Sequence, residues 1–130
     1  MLLLFLVAGY LFSEDRSIEV SDILESVGAS EEIILVEEFD TNKDGTIDYM
    51  VGMDLDSVKI VESIDFNHDG TMDDLYFYSN GIIVRQEVDS NYDFRIDIWV
   101  YIKDGSSVAK YEQDTDFDGI IDKVRQFGGE

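Results

Sequence analysis

A nine-residue acidic string, D-x-N-x-D-G-x-x-D, occurs four times in this chain at intervals of 24 to 25 residues. The copies read DTNKDGTID from Asp40, DFNHDGTMD from Asp65, DSNYDFRID from Asp89 and DTDFDGIID from Asp114. A fixed period of this length marks one supersecondary unit used repeatedly. The unit is too short for helix–loop–helix: a period of 25 less a loop of nine leaves 16 residues for two helices and a linker. Ile, Val, Tyr, Phe and Trp dominate that remainder, and these residues favour strands. The twelfth loop position, where an EF-hand requires a bidentate Glu, holds Val51, Tyr76, Val100 and Arg125.

Each loop is followed by a strand-like run, such as TMDDLYFY (Thr71 to Tyr78) or RIDIWVYI (Arg95 to Ile102). A tight turn and a return run such as IIVRQEV (Ile82 to Val88) complete the unit. Asn80-Gly81 and Asp104-Gly105 carry the chemistry of two-residue hairpins, and Leu55-Asp56-Ser57 does so less clearly. The expected fold class is all-β: an antiparallel β-meander of about eight short strands, built from hairpin repeats of 24–25 residues and preceded by a short N-terminal helix. Acidic loops are expected at one end of the sheet and hairpin turns at the other. The last strand, IIDKVRQF (Ile120 to Phe127), carries Lys123 and Arg125, charges that discourage another chain from adding on. The first, EIILVEEF (Glu32 to Phe39), is more apolar and needs covering.

Ahead of the repeats, Val20, Ile23, Leu24 and Val27 fall at i, i+3, i+4 and i+7, one face of a short helix that Gly28 is placed to end. A surface helix capping the core, over 18–27, is the expectation. The apolar run from Leu2 to Phe12 has 11 residues, too short to span a bilayer but suited to the core of an export signal. A buried first strand or a truncated gene start are the alternatives, because no Lys or Arg precedes the run. The chain thus divides into 1–13, a signal peptide or hydrophobic leader; 14–31, a segment with the short helix; and 32–130, the β-hairpin repeats. No transmembrane span is expected.

Charge sharpens the picture. The chain has 30 Asp and Glu against 9 Lys and Arg, a formal net charge of −21. That sign repels nucleic acid and anionic membranes. A hydrophobic content of 45% is too high for a disordered acidic tail, so the carboxylates must be accommodated in a folded state. Thirteen of the 30 acidic residues occupy loop positions 1, 3, 5 and 9. One divalent cation per loop would bring the charge from −21 to −13. With no Cys, thiolate sites and disulfides are excluded.

The ligand chemistry is that of calcium, a hard cation taking six to eight oxygens in a flexible shell. Positions 1, 3, 5 and 9 offer side chains and position 7 its backbone carbonyl. The first set is Asp40, Asn42, Asp44, Thr46 and Asp48; the second Asp65, Asn67, Asp69, Thr71 and Asp73. The third is Asp89, Asn91, Asp93, Arg95 and Asp97; the fourth Asp114, Asp116, Asp118, Ile120 and Asp122. Position 6 is Gly45, Gly70 and Gly119, matching a bend of positive φ, but Phe94 stands there in the third loop. The third site is therefore expected to be the weakest of up to four calcium sites. The fourth, with Asp116 in place of Asn, is expected to bind tightest. Magnesium retains its waters and suits such a loop less well, and zinc lacks its usual ligands. The competing reading is that Asp and Asn cap these turns without any metal.

The strings resemble the calcium loops of thrombospondin type 3 repeats, of EF-hand-like bacterial repeats and of FG-GAP propeller hairpins. IDFNHDGTMDDLYFY (Ile64 to Tyr78) is especially similar to an FG-GAP hairpin. Nearer in period and strand content are tandem-repeat proteins exported by bacteria, in which each acidic loop precedes an aromatic-rich β-hairpin. The resemblance covers residues 33 to 127. It implies calcium binding, a secreted, periplasmic or cell-envelope setting, and no catalysis.

Other features are weaker. His68 holds the solvent-facing position 4 of the second loop. Trp99, Tyr101, Tyr76, Phe77 and Tyr78 could stack on sugars, the basis of an alternative reading as a calcium-dependent adhesion or glycan-binding module; a surface protein or glycan would then be the partner. Aromatics in adjacent strands more often pack as core. A single His and no Cys leave no Ser–His–Asp or Cys–His set to assemble, and the carboxylates form a lattice rather than one asymmetric site. The chain is expected not to be an enzyme.

Overall fold

Alternating branched and aromatic side chains fold residues 35–128, the part of the chain that the computed structural model describes, into an all-β array. The expected leader and the helix expected over 18–27 lie outside the described residues. The strands are β1 (Leu35–Phe39), β2 (Tyr49–Met53), β3 (Lys59–Ile64), β4 (Asp74–Ser79), β5 (Ile82–Val88), β6 (Ile98–Lys103), β7 (Ser107–Gln113) and β8 (Lys123–Gln126). They form one eight-stranded sheet in sequence order, and every pairing is antiparallel. This is the expected meander. Among the described residues no helix is long and apolar enough to cross a membrane.

Simple up-and-down order puts alternate connections at opposite ends of the sheet. The four acidic loops therefore share one end, and the three tight turns share the other. Asn80 and Gly81 both take positive φ (50° and 75°), as do Asp104 and Gly105 (55° and 69°), the signature of primed hairpin turns. The less legible turn after β2 is held by Asp54, whose carboxylate accepts the N–H of Asp56 and Val58 at 2.8 and 2.9 Å. Successive turns stack closely. A Cβ on Gly105 would sit 2.8 Å from the Ile82 side chain, so a larger residue there would force a shift.

Strands after the acidic loops begin later than their hydrophobic runs suggest. β4 starts at Asp74 rather than Thr71, and β6 at Ile98 rather than Arg95. The cause is the ninth loop residue. Asp73 turns its carboxylate back to accept the N–H of Phe66 and Asn67 at 2.9 and 3.3 Å, which keeps positions 7 to 9 within the loop.

The core is off-centre. Met50, Val61, Leu75 and Phe77 share one face of β2 to β4, joined by Ile60 and by Met72 from the second loop. Farther along, the same rows of that face become Arg85 and Glu87, then Trp99 and Tyr101, then Lys110 and Glu112. There charged heads lie over rings: the Arg85 guanidinium is 4.5 Å from the Phe77 ring centre and Lys110 Nζ 5.1 Å from that of Tyr101. On the opposite face Glu62 gathers Lys59 Nζ and the hydroxyls of Tyr49 and Tyr78. Burial and the Glu62 carboxylate push the Tyr49 phenol up to about 12.

Leu75 is 0% exposed whereas Val124 on β8 is 54% exposed. Leu75→Ala should therefore cost about 2–5 kcal/mol in chemical denaturation. Val124→Ala should stay within about 0.5 kcal/mol.

Candidate metal loops

All four loops are built on one skeleton of side chain to backbone hydrogen bonds. The first aspartate accepts the N–H groups of positions 5 and 6. These are Asp44 and Gly45 on Asp40 (3.1 and 2.7 Å) and Asp69 and Gly70 on Asp65 (3.3 and 2.7 Å). Asp93 and Phe94 do the same on Asp89 (3.2 and 2.7 Å), and Asp118 and Gly119 on Asp114 (3.2 and 2.7 Å). The third residue accepts the N–H of position 5, and the position-5 carboxylate accepts the N–H of position 7. In the first loop Asn42 takes Asp44 N–H at 2.9 Å and Asp44 takes Thr46 N–H at 2.8 Å. Asn67, Asn91 and Asp116 act alike toward Asp69, Asp93 and Asp118. Those carboxylates in turn hold Thr71, Arg95 and Ile120. Asx bonding of this kind fixes the oxygens without any ion.

Two positions per loop need the left-handed region. Position 6 has φ of 94°, 90° and 92° at Gly45, Gly70 and Gly119, and Phe94 is forced to 72°. That strain at Phe94 is the one the sequence indicates. Position 4 is also left-handed, at Lys43, His68, Tyr92 and Phe117 (58° to 62°), which residue type did not reveal.

The loops differ at position 9. Asp48 receives the Thr41 N–H and hydroxyl at 3.0 and 2.9 Å, and Asp97 receives those of Ser90 at 2.8 and 2.6 Å. Asp122 receives both from Thr115. In the second loop position 2 is Phe66, which has no hydroxyl to give. Asp73 Oδ1 is left buried with no hydrogen-bond partner, on a residue 1% exposed, and the buried Thr71 hydroxyl is likewise unpartnered. The electrostatic result follows. The Thr41 amide and hydroxyl hold Asp48 below the ordinary carboxylate range. Burial, with the charges of Asp65 and Asp69, pushes Asp73 up to about 6.

Two groups of carboxylates converge. One oxygen from each of Asp65, Asp69 and Asp73 lies within 4.8 Å of the others, and so does one from each of Asp114, Asp116 and Asp122. Either trio can hold a metal ion. Among the described residues the first and third loops form no such trio. Asp118 lies outside the fourth-loop trio.

Contacts between loops were not legible in the repeat. His68 Nδ1 lies 3.0 Å from Asn42 Nδ2 and 3.7 Å from Asp48 Oδ2, so this half-exposed ring faces the first loop as well as solvent. Arg95 Nη2 is 3.4 Å from Asp93 Oδ2 and donates to Phe117 O at 3.1 Å. A guanidinium thus stands beside the third-loop carboxylate and ties that loop to the fourth. Comparison of the chain with known protein families gives no match, and comparison with curated proteins gives none either.

The Asp73 carboxyl holds its proton more tightly folded than unfolded. Stability from this group is present below the ordinary 3.8 and is lost as pH rises through about 6. In metal-free protein, carboxyl NMR should show Asp73 titrating near 6. Phe66→Thr, which supplies the missing hydroxyl, should bring that midpoint down.

Proposed function

We propose that this chain is a non-enzymatic calcium-binding protein in which bound ions lock the loops joining its strands. The observation that carries the reading is the Asp65–Asp69–Asp73 trio with its buried, unpartnered Asp73 Oδ1. A buried carboxylate oxygen without a partner is costly, and a cation is the partner that suits it. Oxygen-only donors on a nine-residue loop favour calcium over zinc, and the absence of a rigid octahedral cage favours it over magnesium. The loops' resemblance to calcium loops of exported repeat proteins, together with the apolar leader, supports a secreted or cell-envelope setting.

The role is structural. A site with Kd near 10⁻⁴ M facing about 1 mM calcium adds about 1.4 kcal/mol, a useful fraction of an ordinary domain's stability. The loops rank by how much of their acceptor capacity is already used. The second loop leads, ahead of the fourth despite the additional Asp116 charge, because Thr115 already donates to both Asp122 oxygens. The third loop is closed to metal, since Arg95 supplies a positive charge at Asp93 and Phe94 strains the bend. An adhesive aromatic platform is less well supported. Phe77, Trp99 and Tyr101 lie on one face and Tyr76 and Tyr78 on the other, with Phe77 buried.

Calorimetric titration with calcium tests the assignment. Asp69→Ala should remove the tightest binding event and Asp116→Ala a second, weaker one. A wild-type protein that gives no binding heat would sink the reading. Arg95→Thr combined with Phe94→Gly should add one site to the wild-type count, and an unchanged count would reject only the role given to Arg95 and Phe94.

A further inference from the structure

We propose that copies of this chain associate head to tail, β8 of one molecule pairing with β1 of the next so that the meander continues between molecules. β1 and β8 are the two outer strands among the described residues, and in an eight-stranded up-and-down sheet they run in opposite directions. A neighbour's β1 laid beside β8 is therefore antiparallel, like every pair already in the sheet.

The register is fixed by recurrence. At β2–β3, β4–β5 and β6–β7 the first strand residue after one loop pairs with the last before the next: Tyr49 with Ile64, Asp74 with Val88, Ile98 with Gln113. The same rule sets Lys123 opposite Phe39, Val124 opposite Glu38 and Arg125 opposite Glu37 of the neighbouring copy. The edges are complementary in charge. β8 holds two of the chain's nine basic residues, and β1 holds Glu37 and Glu38. Lys123 and Arg125 do guard against like edges, as the sequence suggests, but they match an acidic one.

A backbone row at the loop end of the sheet stops where a neighbour would continue it. Asp65 N–H donates to Asp48 O at 2.9 Å, Asp89 to Asp73 at 2.8 Å and Asp114 to Asp97 at 2.9 Å. All six of these aspartates are buried. The outer members, Asp40 and Asp122, are half-buried and exposed, and the rule brings Asp40 N–H to Asp122 O of the adjoining copy. Apolar side chains tell the same story. Met50 and Leu75 are buried, whereas Val124, their equivalent on β8, is exposed, as are Ile121, Phe127, Leu35 and Phe39. In a stack of repeats an end that carries no polar cap among the described residues is a docking surface. The contact is heterologous and does not close, so it gives open chains rather than a fixed dimer.

Sedimentation of the full chain in about 0.15 M salt with about 1 mM calcium, from about 10 µM to about 1 mM protein, tests the proposal. The weight-average mass should climb continuously with concentration. Arg125→Glu alone and Glu37→Arg alone should each reduce the climb, and the double exchange should restore it. A monomer mass throughout, a fixed dimer, or association indifferent to both single exchanges would overturn the inference.

Discussion

Each loop depends on one aspartate at its first position that caps two backbone N–H groups. Asp65, Asp89 and Asp114 are each almost wholly out of water, and each carboxylate is held by the amides of positions 5 and 6. Without that clamp the left-handed bend at position 6 would have no reason to persist, and a buried charge would stand without compensation. The clamp also fixes the strands. Its backbone joins the row of hydrogen bonds that passes from Asp48 to Asp65, from Asp73 to Asp89 and from Asp97 to Asp114. Loop shape, strand register and the position of the carboxylates are one problem with one solution.

That solution is nearly self-sufficient, and this is why the exception matters. Hydroxyls at Thr41, Ser90 and Thr115 complete the ninth-position aspartates, while Phe66 leaves Asp73 incomplete. A chain of net charge −21 gains little from an additional uncompensated anion. A divalent ion between Asp65, Asp69 and Asp73 would remove the orphan and two charges together. In the third loop a positive charge already stands beside Asp93, on the Arg95 guanidinium, which also reaches the fourth loop.

Much of the fold was legible because it rests on local rules. The period excluded helices, Asn80-Gly81 and Asp104-Gly105 announced their turns, and simple order gave the meander. Phe94 was correctly marked as strained. What stayed hidden depends on pairs of residues distant within a unit or between units. The αL conformation at Lys43, His68, Tyr92 and Phe117 is imposed by the Asx bonds on either side, not by residue type. The special status of Asp73 lay in comparing position 2 across the copies, where Phe66 stands among Thr41, Ser90 and Thr115, rather than in counting carboxylates. The division of the aromatics between two faces follows from register, which composition does not carry.

The central claim is that calcium completes the loops and thereby holds the sheet. Its most direct test is the melting temperature of the full chain with about 1 mM calcium and again with excess chelator. Two sites at about 1.4 kcal/mol each should raise the midpoint by about 10 °C, reversibly. Asp73→Asn, which removes one of the two sites, should lose about half of that calcium-dependent rise. Superimposable melting curves with calcium and with chelator would contradict the account.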